Sequence, residues 1–399
     1  MSRPRNLANY ASRLEDQSFI GIAYNIATDT FIRTGASTPY PVNQFCGPQV
    51  SPVFHDLRRV VLQDDGTVYK GISWFDFTKH EDGTSVALDG SNGQIMVEYQ
   101  KAYYRTDIIG NWYFLEISDQ PLPGFSLHPL FDGVDVAYQG AYEAAVYDSK
   151  LWSITKSPAD GTSAVYPVTT RTGAWGHASL DTAATDSLAA ARGAGWQQAD
   201  FWIKHWERCL LLVGWAGYNT QSMIGAGRTG KSGTWTNGSN IGALGLGDAN
   251  SFYSSASAEY AQVLGIENPY GNVWERVASL ISGHAVYVKG LPPYNYTTVS
   301  GWDRLLNHDG TGINLPTSDG YAGTPHSGLG IVLPADVTGS STTKMADYFY
   351  QNTGLRVFLV GGSATDGAIA GSFCWRASHA ATDAAAAFGG RLCFKKLEV

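Results

Sequence analysis

The sequence has few charged residues and no long apolar run. Asp, Glu, Lys and Arg together make up 16% of its 399 residues, below the share of about a quarter that is typical of soluble domains. The formal net charge is −8, and this acidic balance argues against nucleic acid or an anionic membrane surface as the partner. The longest strongly apolar run, Cys209–Val213, is far too short to cross a bilayer. We therefore expect no nucleic-acid binding and no membrane insertion.

Cysteine is scarce as well, and the four residues are spread along the chain: Cys46, Cys209, Cys374 and Cys393. No two of them form a C-x-x-C pair, so we expect four small buried hydrophobic side chains rather than a zinc site. The first 17 residues have no apolar segment behind their basic start, so we expect no signal peptide and synthesis in the cytoplasm. The chain lacks H-E-x-x-H and G-x-S-x-G motifs, and its nine histidines are scattered, so the sequence predicts no enzyme.

Glycine and aromatic residues are abundant, at 46 glycines and 13% aromatic side chains. With so few charges, this mixture is typical of a loop-rich protein that contains β-strands, and we predict the α+β class. The length predicts two or three domains. We divide the chain into a β-rich module at residues 1–95 for attachment, oligomerisation or plain packing, a β-rich lead-in at 96–150, and a C-terminal domain at 151–399.

Short apolar or alternating runs predict six strands in the first two segments, the last two as a hairpin: Phe19–Tyr24, Val60–Leu62, Val68–Trp74, Val86–Leu88, Met96–Arg105 and Asn111–Ile117. Two helices are predicted in the third segment. Asp186 or Ser187 is predicted to cap a helix over Leu188–Arg192. Residues Asp200–Trp215 have apolar side chains at helical spacing, and the Trp202–Trp206 pair within them is expected in the core.

The stretch Gly354–Phe394 is the most informative part of the chain. Two short apolar runs, Leu355–Val360 and Arg391–Phe394, have the length of buried strands, and each lies next to a pair of glycines. Between them are about 30 residues with almost no periodicity, an uncommonly long loop for a compact domain. Because this loop contains aromatic residues that need somewhere to pack, we expect an ordered surface that the two strands hold in place.

The same stretch resembles the variable region of the target proteins of diversity-generating retroelements, whose pattern is similar to VGGNANNGSNAG.F..NSNNAA.NANANIG.RL. The residues that match the fixed frame of this pattern are Gly361, Gly362, Gly367, Ala370, Gly371, Phe373, Gly389, Arg391 and Leu392. At the asparagine positions the chain carries Ser363, Thr365, Asp366, Ile369, Arg376, Ser378, His379, Asp383, Ala385 and Ala387. In that family, mutagenic copying of template adenines changes asparagine codons into many others, which leaves a fixed frame with unrelated residues between its members.

The resemblance implies a C-type-lectin-like domain of the formylglycine-generating-enzyme type over residues 151–399, with a variable region at about 354–394. It also implies a ligand-binding protein whose side chains, on a fixed backbone, select the target. The residues expected to bind the ligand are Ser363, Thr365, Asp366, Ile369, Phe373, Trp375, Arg376, Ser378, His379, Asp383, Ala385 and Ala387. Phe373 and Trp375 have an alternative role in the frame, with one or both rings turned inward. Loops at 282–353 add Tyr294, Tyr296, Tyr321 and His326 as contributors to the binding face.

A second stretch, Gly265–Arg276, reads GIENPYGNVWER and resembles a signature of the same fold. Its Asn-Pro and Gly-Asn pairs predict a turn that leads into a strand and buries Trp274. Glu275 has the chemistry of a catalytic acid. The family uses this stretch structurally, however, so we expect a structural role for Glu275.

A third stretch, Gly225–Ser232, matches the phosphate-binding pattern G-x-x-x-x-G-K-[ST]. That motif works between a strand and a helix whose N-terminus faces the phosphate. Here a predicted helix precedes it and a segment rich in glycine and asparagine follows it. We therefore expect a loop on the scaffold and no nucleotide site.

Two other functions are weighed against ligand binding. The formylglycine-generating enzymes need a pair of reactive cysteines. Cys374 lies close to the first of these positions, but His379 occupies the second, so an oxidase would lack its thiol pair. The other alternative is a structural tail protein without a ligand. The unrelated residues at the asparagine positions argue against a purely structural protein, because a structural loop has no reason to vary at those positions alone.

The resemblance also implies a setting. The chain is expected in a virion tail or to be encoded by a prophage, with a variable protein or a glycan on a cell surface as the ligand. Phage tail tips are commonly homo-oligomers, trimers among them, and several copies of a weak site give avidity. We predict no cofactor. Calcium stays an open alternative, since this fold accommodates it, but the sequence identifies no metal ligands.

Overall fold

The computed structural model describes residues 12–167, 180–233, 236–237, 250–257 and 260–396. It is a mixed α+β protein, as predicted, in which antiparallel sheets predominate and helices are few. Most of the glycine-rich segment that follows the phosphate-binding pattern, at 234–235 and 238–249, lies outside the described residues. Within the described ranges, no helix has both the length and the apolar content that crossing a membrane requires.

Five strands near the start of the chain form an antiparallel sheet: β1 (Ile20–Asn25), β2 (Thr30–Gly35), β6 (Tyr103–Ile109), β7 (Trp112–Ser118) and β8 (Ser126–Leu127). Their spatial order is β2–β1–β7–β6–β8. The predicted hairpin is confirmed for β6 and β7, which pair along their whole length. The single strand predicted over Met96–Arg105 is wrong, because residues 101–102 separate two strands of different sheets. At this break the amide of Lys101 donates to the carbonyl of Asp135 (2.8 Å).

Six strands form a second antiparallel sheet: β3 (Arg58–Leu62), β4 (Val68–Gly71), β5 (Gln94–Gln100), β9 (Val136–Gly140), β12 (Trp196–Gln198) and β24 (Leu392–Lys395). Their order is β12–β24–β9–β5–β3–β4, so strands from all three predicted segments share one sheet. The strand predicted over Val86–Leu88 is wrong. That segment lies outside the strands, and the amide of Val86 donates to the carbonyl of Thr78 (2.9 Å).

Eight strands form the largest sheet: β16 (Trp274–Ser282), β17 (Ala285–Val288), β18 (Asp303–Arg304), β19 (Gly320–Tyr321), β20 (Tyr348–Gln351), β21 (Leu355–Gly361), β22 (Gly371–His379) and β23 (Phe388–Gly389). Their order is β18–β17–β16–β21–β22–β20–β19, and β23 pairs with β16. The predicted strand at Leu355–Val360 is confirmed as β21, and the final run forms β24 in the neighbouring sheet. The predicted loop of about 30 residues is wrong, because β22 lies in its middle.

Small sheets complete the strands: β10 (Ala145–Tyr147) with β11 (Lys150–Trp152), and β13 (Ser254–Ala256), β14 (Ala261–Val263) and β15 (Ile266–Glu267) together. A helical turn at residues 12–15 precedes β1. The other α-helices are α1 (Pro52–His55), α2 (Thr182–Ala190), α3 (Phe201–Trp215), α4 (Thr220–Met223) and α5 (Asn250–Tyr253). In the described ranges, four 3₁₀ turns lie at Pro48–Val50, Pro129–Phe131, Gly328–Gly330 and Gly367–Ile369.

Helix α3 lies in the core of the protein, and all 15 of its residues are buried. It begins at Asp200, whose carboxylate accepts a hydrogen bond from the amide of Trp202 (2.8 Å), and it ends at Ala216, which has a left-handed φ of 53°. The prediction of this helix is confirmed, and so is the burial of Trp202 and Trp206, which are 9% and 1% exposed. The helix contacts β1 and β7 of one sheet and β16 of another, so it joins the two.

The predicted cap of helix α2 is wrong by about one turn. The helix begins at Asp181, whose carboxylate accepts from the amide of Ala184 (2.7 Å), and it runs to Ala190. Asp181 comes first in the chain and its side chain is free to cap, so the alanine-rich turn after it becomes helical before Asp186 is reached. Asp186 therefore lies in the middle of the helix.

Candidate functional site

Strand β22 alternates its side chains between the core and the surface. Phe373, Trp375 and Ala377 point inward and are 0%, 0% and 1% exposed. The ring centre of Trp375 lies 4.8 Å from that of Phe358 and 5.8 Å from that of Phe201 in helix α3. The prediction that Phe373 and Trp375 bind a ligand is wrong, because both rings are packed in the core. Both rings instead face inward, which agrees with the alternative in which they belong to the frame.

Arg376 and Ser378 point outward from the same strand, and both are partly exposed. The guanidinium carbon of Arg376 lies 4.8 Å from the ring centre of Tyr350 and 5.3 Å from that of Trp274. Its Nε donates to the hydroxyl of Ser378 (2.9 Å). Cation–π contacts of this kind are worth about 0.5–2 kcal/mol each. They hold the positive charge of Arg376 in one position at the surface instead of leaving it free in solvent.

Three tyrosines extend this surface over two neighbouring strands. β20 runs parallel to β22 and places Tyr350 beside Arg376, while β19 places Tyr321 opposite Tyr348. The ring centres of Tyr348 and Tyr350 are 4.7 Å apart, and those of Tyr321 and Tyr348 are 5.2 Å apart. All three tyrosines are partly exposed. We call Tyr321, Tyr348, Tyr350, Arg376 and Ser378 the β22 face.

Tyr348 and Tyr350 are absent from the predicted binding residues, although Tyr321 is among the expected contributors. The signal that identifies them is the alternation Tyr348–Phe349–Tyr350. Phe349 is 0% exposed, so its two neighbours face the opposite side of the sheet. Tyr294, expected near this surface, belongs to a separate aromatic cluster, where its ring stacks on Trp302 at 5.6 Å.

The turn before β22 carries four of the predicted binding residues. The carboxylate of Asp366 accepts hydrogen bonds from the amide (2.6 Å) and the hydroxyl (2.8 Å) of Ser363. Ser363 is only 4% exposed and its polar groups close the turn, so its predicted contact with a ligand is wrong. Thr365 is exposed, and Asp366 and Ile369 are partly exposed. The pKa of Tyr350 is raised to about 12, mainly by burial and next by the charge of the Asp366 carboxylate. The turn therefore lies within electrostatic range of the β22 face.

The segment that matches the phosphate-binding pattern holds this turn in place. Residues 225–233 form neither helix nor strand. The amide of Lys231 donates to the carbonyl of Ala364 (2.7 Å), and the amide of Gly367 donates to the carbonyl of Thr229 (2.7 Å). Gln221 of helix α4 adds a hydrogen bond to the carbonyl of Gly367 (2.9 Å). The segment is therefore a loop, as expected, and its backbone supports the turn before β22.

His379 and Asp383 form a hydrogen-bonded pair just after β22. The Nδ1 atom of His379 lies 3.0 Å from the carboxylate of Asp383, which also accepts from the amide of Ala380 (3.0 Å). Burial and then the charge of Arg376 lower the pKa of His379. Burial acts in the opposite direction on Asp383, but hydrogen bonds from Ala380 and His379 hold its pKa below the usual value. Near neutral pH the pair is therefore a neutral imidazole that donates to a carboxylate.

Ala385 and Ala387 lie partly exposed on a small cluster that includes Trp274 and Phe388. Their methyl groups make this edge of the surface apolar. Cys374 belongs to the same cluster and is 0% exposed, and burial raises the pKa of its thiol well above the usual value. Reactive cysteines are usually partly exposed and have a lowered pKa, so the surroundings of Cys374 are those of a structural cysteine.

A buried network of ion pairs lies beneath the frame. Arg391 donates from Nε to the carboxylate of Glu275 (2.7 Å), and Lys204 of helix α3 contacts the other carboxylate oxygen of Glu275. Lys204 also lies 2.9 Å from the carboxylate of Glu207. The other guanidinium nitrogens of Arg391 donate to carbonyls, including that of Gly140 (3.0 Å). Both oxygens of Glu275 are paired and the residue is 1% exposed, which gives Glu275 a structural environment.

Among the described residues, one group of metal-ligating side chains converges in the core, namely His128, His205 and Cys209. The amide of Leu130 donates to Nδ1 of His128 (3.1 Å), so the proton of this ring is on Nε2, which donates to Nδ1 of His205 (2.9 Å). His205 in turn donates from Nε2 to the carbonyl of Leu329 (2.9 Å). Every ring nitrogen already has a hydrogen-bond partner, so neither imidazole offers a free lone pair to a metal ion.

No protein-family model matches this chain, and no curated protein sequence matches it.

Proposed function

We propose that this chain is a receptor- or ligand-binding protein whose C-terminal domain is a C-type-lectin-like scaffold for diversified side chains. The observation that carries the proposal is the division of the stretch 354–394 by burial. Eight of the nine frame residues are buried, and the ninth, Gly367, is partly exposed. Nine of the ten residues at the asparagine positions are exposed or partly exposed, and Ser363 is the exception.

This division supports a diversified surface for an energetic reason. Truncating large buried side chains costs about 2–5 kcal/mol, whereas exposed side chains are usually replaced within about 0.5 kcal/mol. If only exposed side chains are replaced, the protein therefore keeps its fold while the chemistry of its surface changes. Arg391 is an example of a frame residue that cannot be exchanged without loss of contacts. Its guanidinium group donates hydrogen bonds to Glu275 and to backbone carbonyls.

The chemistry of the β22 face suits binding to a macromolecule. Tyrosine and arginine are enriched among the residues that dominate interface energies. Tyrosine in addition supplies a large contact area at a low cost in side-chain entropy. Tyr321, Tyr348 and Tyr350 lie outside the asparagine positions, so they provide a constant apolar floor. Arg376, Ser378, His379 and Asp383 lie on or beside this floor and provide the part that differs between targets.

We place the protein at a phage or prophage tail tip, with a protein or glycan on a cell surface as the ligand. A homo-oligomer, such as a trimer, presents several copies of the site and so gives avidity to weak single contacts. A structural tail protein without a ligand is a weaker account, because it gives no reason for the exposed positions to be the ones that differ from the pattern. The burial of Cys374 counts against an oxidase.

The deciding experiment compares two chains on arrays of glycans and on panels of bacterial cells. One is the native chain, and the other carries asparagine at seven positions: Thr365, Asp366, Ile369, Arg376, Ser378, His379 and Asp383. We expect both to fold, because an asparagine in place of Asp366 or Asp383 still offers a side-chain oxygen to the amide that the carboxylate binds. We expect the asparagine variant to lose the native target or to bind a different one.

A matched control carries asparagine at four exposed positions outside the C-terminal stretch, Gln17, Ser91, Gln100 and Gln120. It should bind like the native chain. If the seven-residue variant folds and binds with unchanged affinity and target, the residues at the asparagine positions are not the binding site and the proposal fails.

A further inference from the structure

A cavity of about 290 Å³ lies between helix α2 and the loop that contains Pro292 and Pro293. Its walls are largely apolar and include Trp196, the two prolines and Tyr294. The indole Nε1 of Trp196 donates to the carbonyl of Asp64 (2.8 Å), which fixes the orientation of the ring. None of the residues that line this cavity belongs to the predicted variable positions. The cavity is therefore part of the constant scaffold.

Asp186 is the only ionisable carboxyl among the described residues that line this cavity. The hydroxyl of Tyr296 accepts from Gln198 (2.9 Å) and donates its own proton to one carboxylate oxygen of Asp186 (2.7 Å). The side chain of Gln198 also forms a hydrogen bond with this carboxyl, but one of its oxygens, Oδ1, is buried without a partner. The hydroxyl of Tyr294 is likewise buried without a partner. Each such group is costly to leave unpaired, by about 1–3 kcal/mol, so a ligand atom that reaches either oxygen gains a hydrogen bond that the protein does not supply.

Asp186 also lacks a counter-ion. No Lys, Arg or His in the described part of the chain forms an ion pair with it, and the carboxylate of Asp181 nearby adds negative charge. Burial is the main cause that raises the pKa of Asp186 to about 7, which is the behaviour of a carboxyl that has lost water without gaining a cation. A ligand that carries a positive charge supplies what this carboxyl lacks.

The combination of groups selects one class of ligand. A primary ammonium group has three N–H donors, so its donors are numerous enough to serve Asp186 and Tyr294 together. Short methylene chains pack on the prolines and on Trp196, and an aromatic wall favours a cation further. A neutral polyol meets the hydrogen bonds but leaves the charge of the carboxylate unpaired. We propose that this cavity binds a small primary ammonium compound, with Asp186 as its counter-ion and Tyr294 as its second hydrogen-bond partner.

The test uses ethanolamine as the probe, with the full chain and saturation-transfer NMR to measure the dissociation constant. Ethylene glycol is the matched neutral probe, because a hydroxyl replaces the ammonium group. Tetramethylammonium is the matched cation without N–H donors. We expect ethanolamine to bind, and both other probes to bind at least about tenfold more weakly, since each lacks either the charge or the donors.

Two variants locate the probe. Asp186→Asn keeps an oxygen that accepts from Tyr296, so it should fold, and it should weaken ethanolamine binding at least about tenfold. Tyr294→Phe removes a hydroxyl that has no partner in the protein, so it should leave the fold intact and weaken binding about threefold to tenfold. Asp132→Asn, which changes an exposed aspartate that does not line the cavity, is the control and should bind ethanolamine like the native chain.

Three results would overturn the proposal. They are the failure of the native chain to bind ethanolamine, equal binding of ethanolamine and ethylene glycol, and unchanged binding in both Asp186→Asn and Tyr294→Phe. None of these results bears on target binding through the β22 face, so this inference and the proposed function fail or stand separately.

Discussion

Tyr350 and Arg376 lie side by side on parallel neighbouring strands, and the guanidinium carbon of Arg376 lies 4.8 Å from the centre of the tyrosine ring. The ring of Trp274 makes a second contact with the same cation at 5.3 Å. The two aromatic residues lie outside the asparagine positions of the pattern, whereas Arg376 occupies one of them. The pair thus joins aromatic side chains outside the asparagine positions to a side chain that occupies one of them.

Replacement of Arg376 by alanine is expected to weaken binding to the native target by about 2 kcal/mol, or roughly thirtyfold. The reason is that a cation held against two rings loses little freedom when a partner binds it. Arg376→Lys keeps the charge but loses the planar stacking, so its affinity for the target should lie between those of the native chain and Arg376→Ala. Purified proteins on target cells give the affinities. If Arg376→Ala binds like the native chain, this part of the β22 face does not contact the target.

Replacement of Trp375, the adjacent residue, is expected to act on stability instead. Trp375→Ala should lower the free energy of unfolding by about 3–5 kcal/mol, because it leaves a cavity beside Phe201 and Phe358. Ser378→Ala on the outer side of the strand should change it by less than about 0.5 kcal/mol. Urea denaturation measures both. Similar small losses in the two variants would contradict the inward orientation of Trp375.

Helix α3 and strand β22 explain why one element could be predicted from the sequence and the other could not. In α3, a capping aspartate precedes 15 residues in which apolar side chains dominate, so the local signal is strong. In β22, the inward residues include the small Ala377, and the outward residues Arg376 and Ser378 are polar. Inward and outward side chains do alternate along β22, but few of the inward ones are large and apolar, so the sequence pattern of a strand is weak.

The buried ion network is beyond what local patterns can predict. Lys204, Glu275 and Arg391 come from distant parts of the chain and meet only once the sheets and α3 have packed together. The division between frame and exposed positions, in contrast, follows from the resemblance of residues 354–394 to a known pattern. Ser363 departs from it because a small hydroxyl side chain can close a turn by bonding to Asp366.

Arg391→Ala is expected to destabilise the protein by about 3–5 kcal/mol, because it removes the main cation beside a fully buried carboxylate and frees several buried carbonyls. Arg391→Lys should recover only part of this loss, since an ammonium group cannot reach the same carbonyls together. Thermal unfolding at neutral pH provides the comparison. A loss below about 1 kcal/mol for Arg391→Ala would show that the network contributes little.

The carboxyl of Asp186 is expected to make stability depend on pH. Its pKa is about 7 in the folded protein, mainly because of burial, and about 3.9 in an unfolded chain. Between these values the folded state binds more protons than the unfolded state, so the free energy of unfolding falls as pH rises from about 4 to about 7. Asp186→Asn lacks the titrating carboxyl, so its stability should lack this pH-dependent contribution.

The measurement is the difference in unfolding free energy between the native chain and Asp186→Asn, taken at several pH values. The difference should shift in favour of the variant as pH rises from about 4 to about 7 and should be constant below about 4. A difference that does not change with pH would mean that Asp186 titrates at its ordinary value and is well solvated.

Zinc is expected to leave the stability of the protein unchanged. The three ligand-type side chains in the core, His128, His205 and Cys209, are joined by hydrogen bonds whose directions place a proton on the facing nitrogen of His128. A metal ion would have to displace that proton and break the bond from His128 to His205. Because an ion that binds the folded state raises the melting temperature, titration with zinc chloride tests this directly. A rise in melting temperature that is lost in Cys209→Ala would instead identify the cluster as a zinc site.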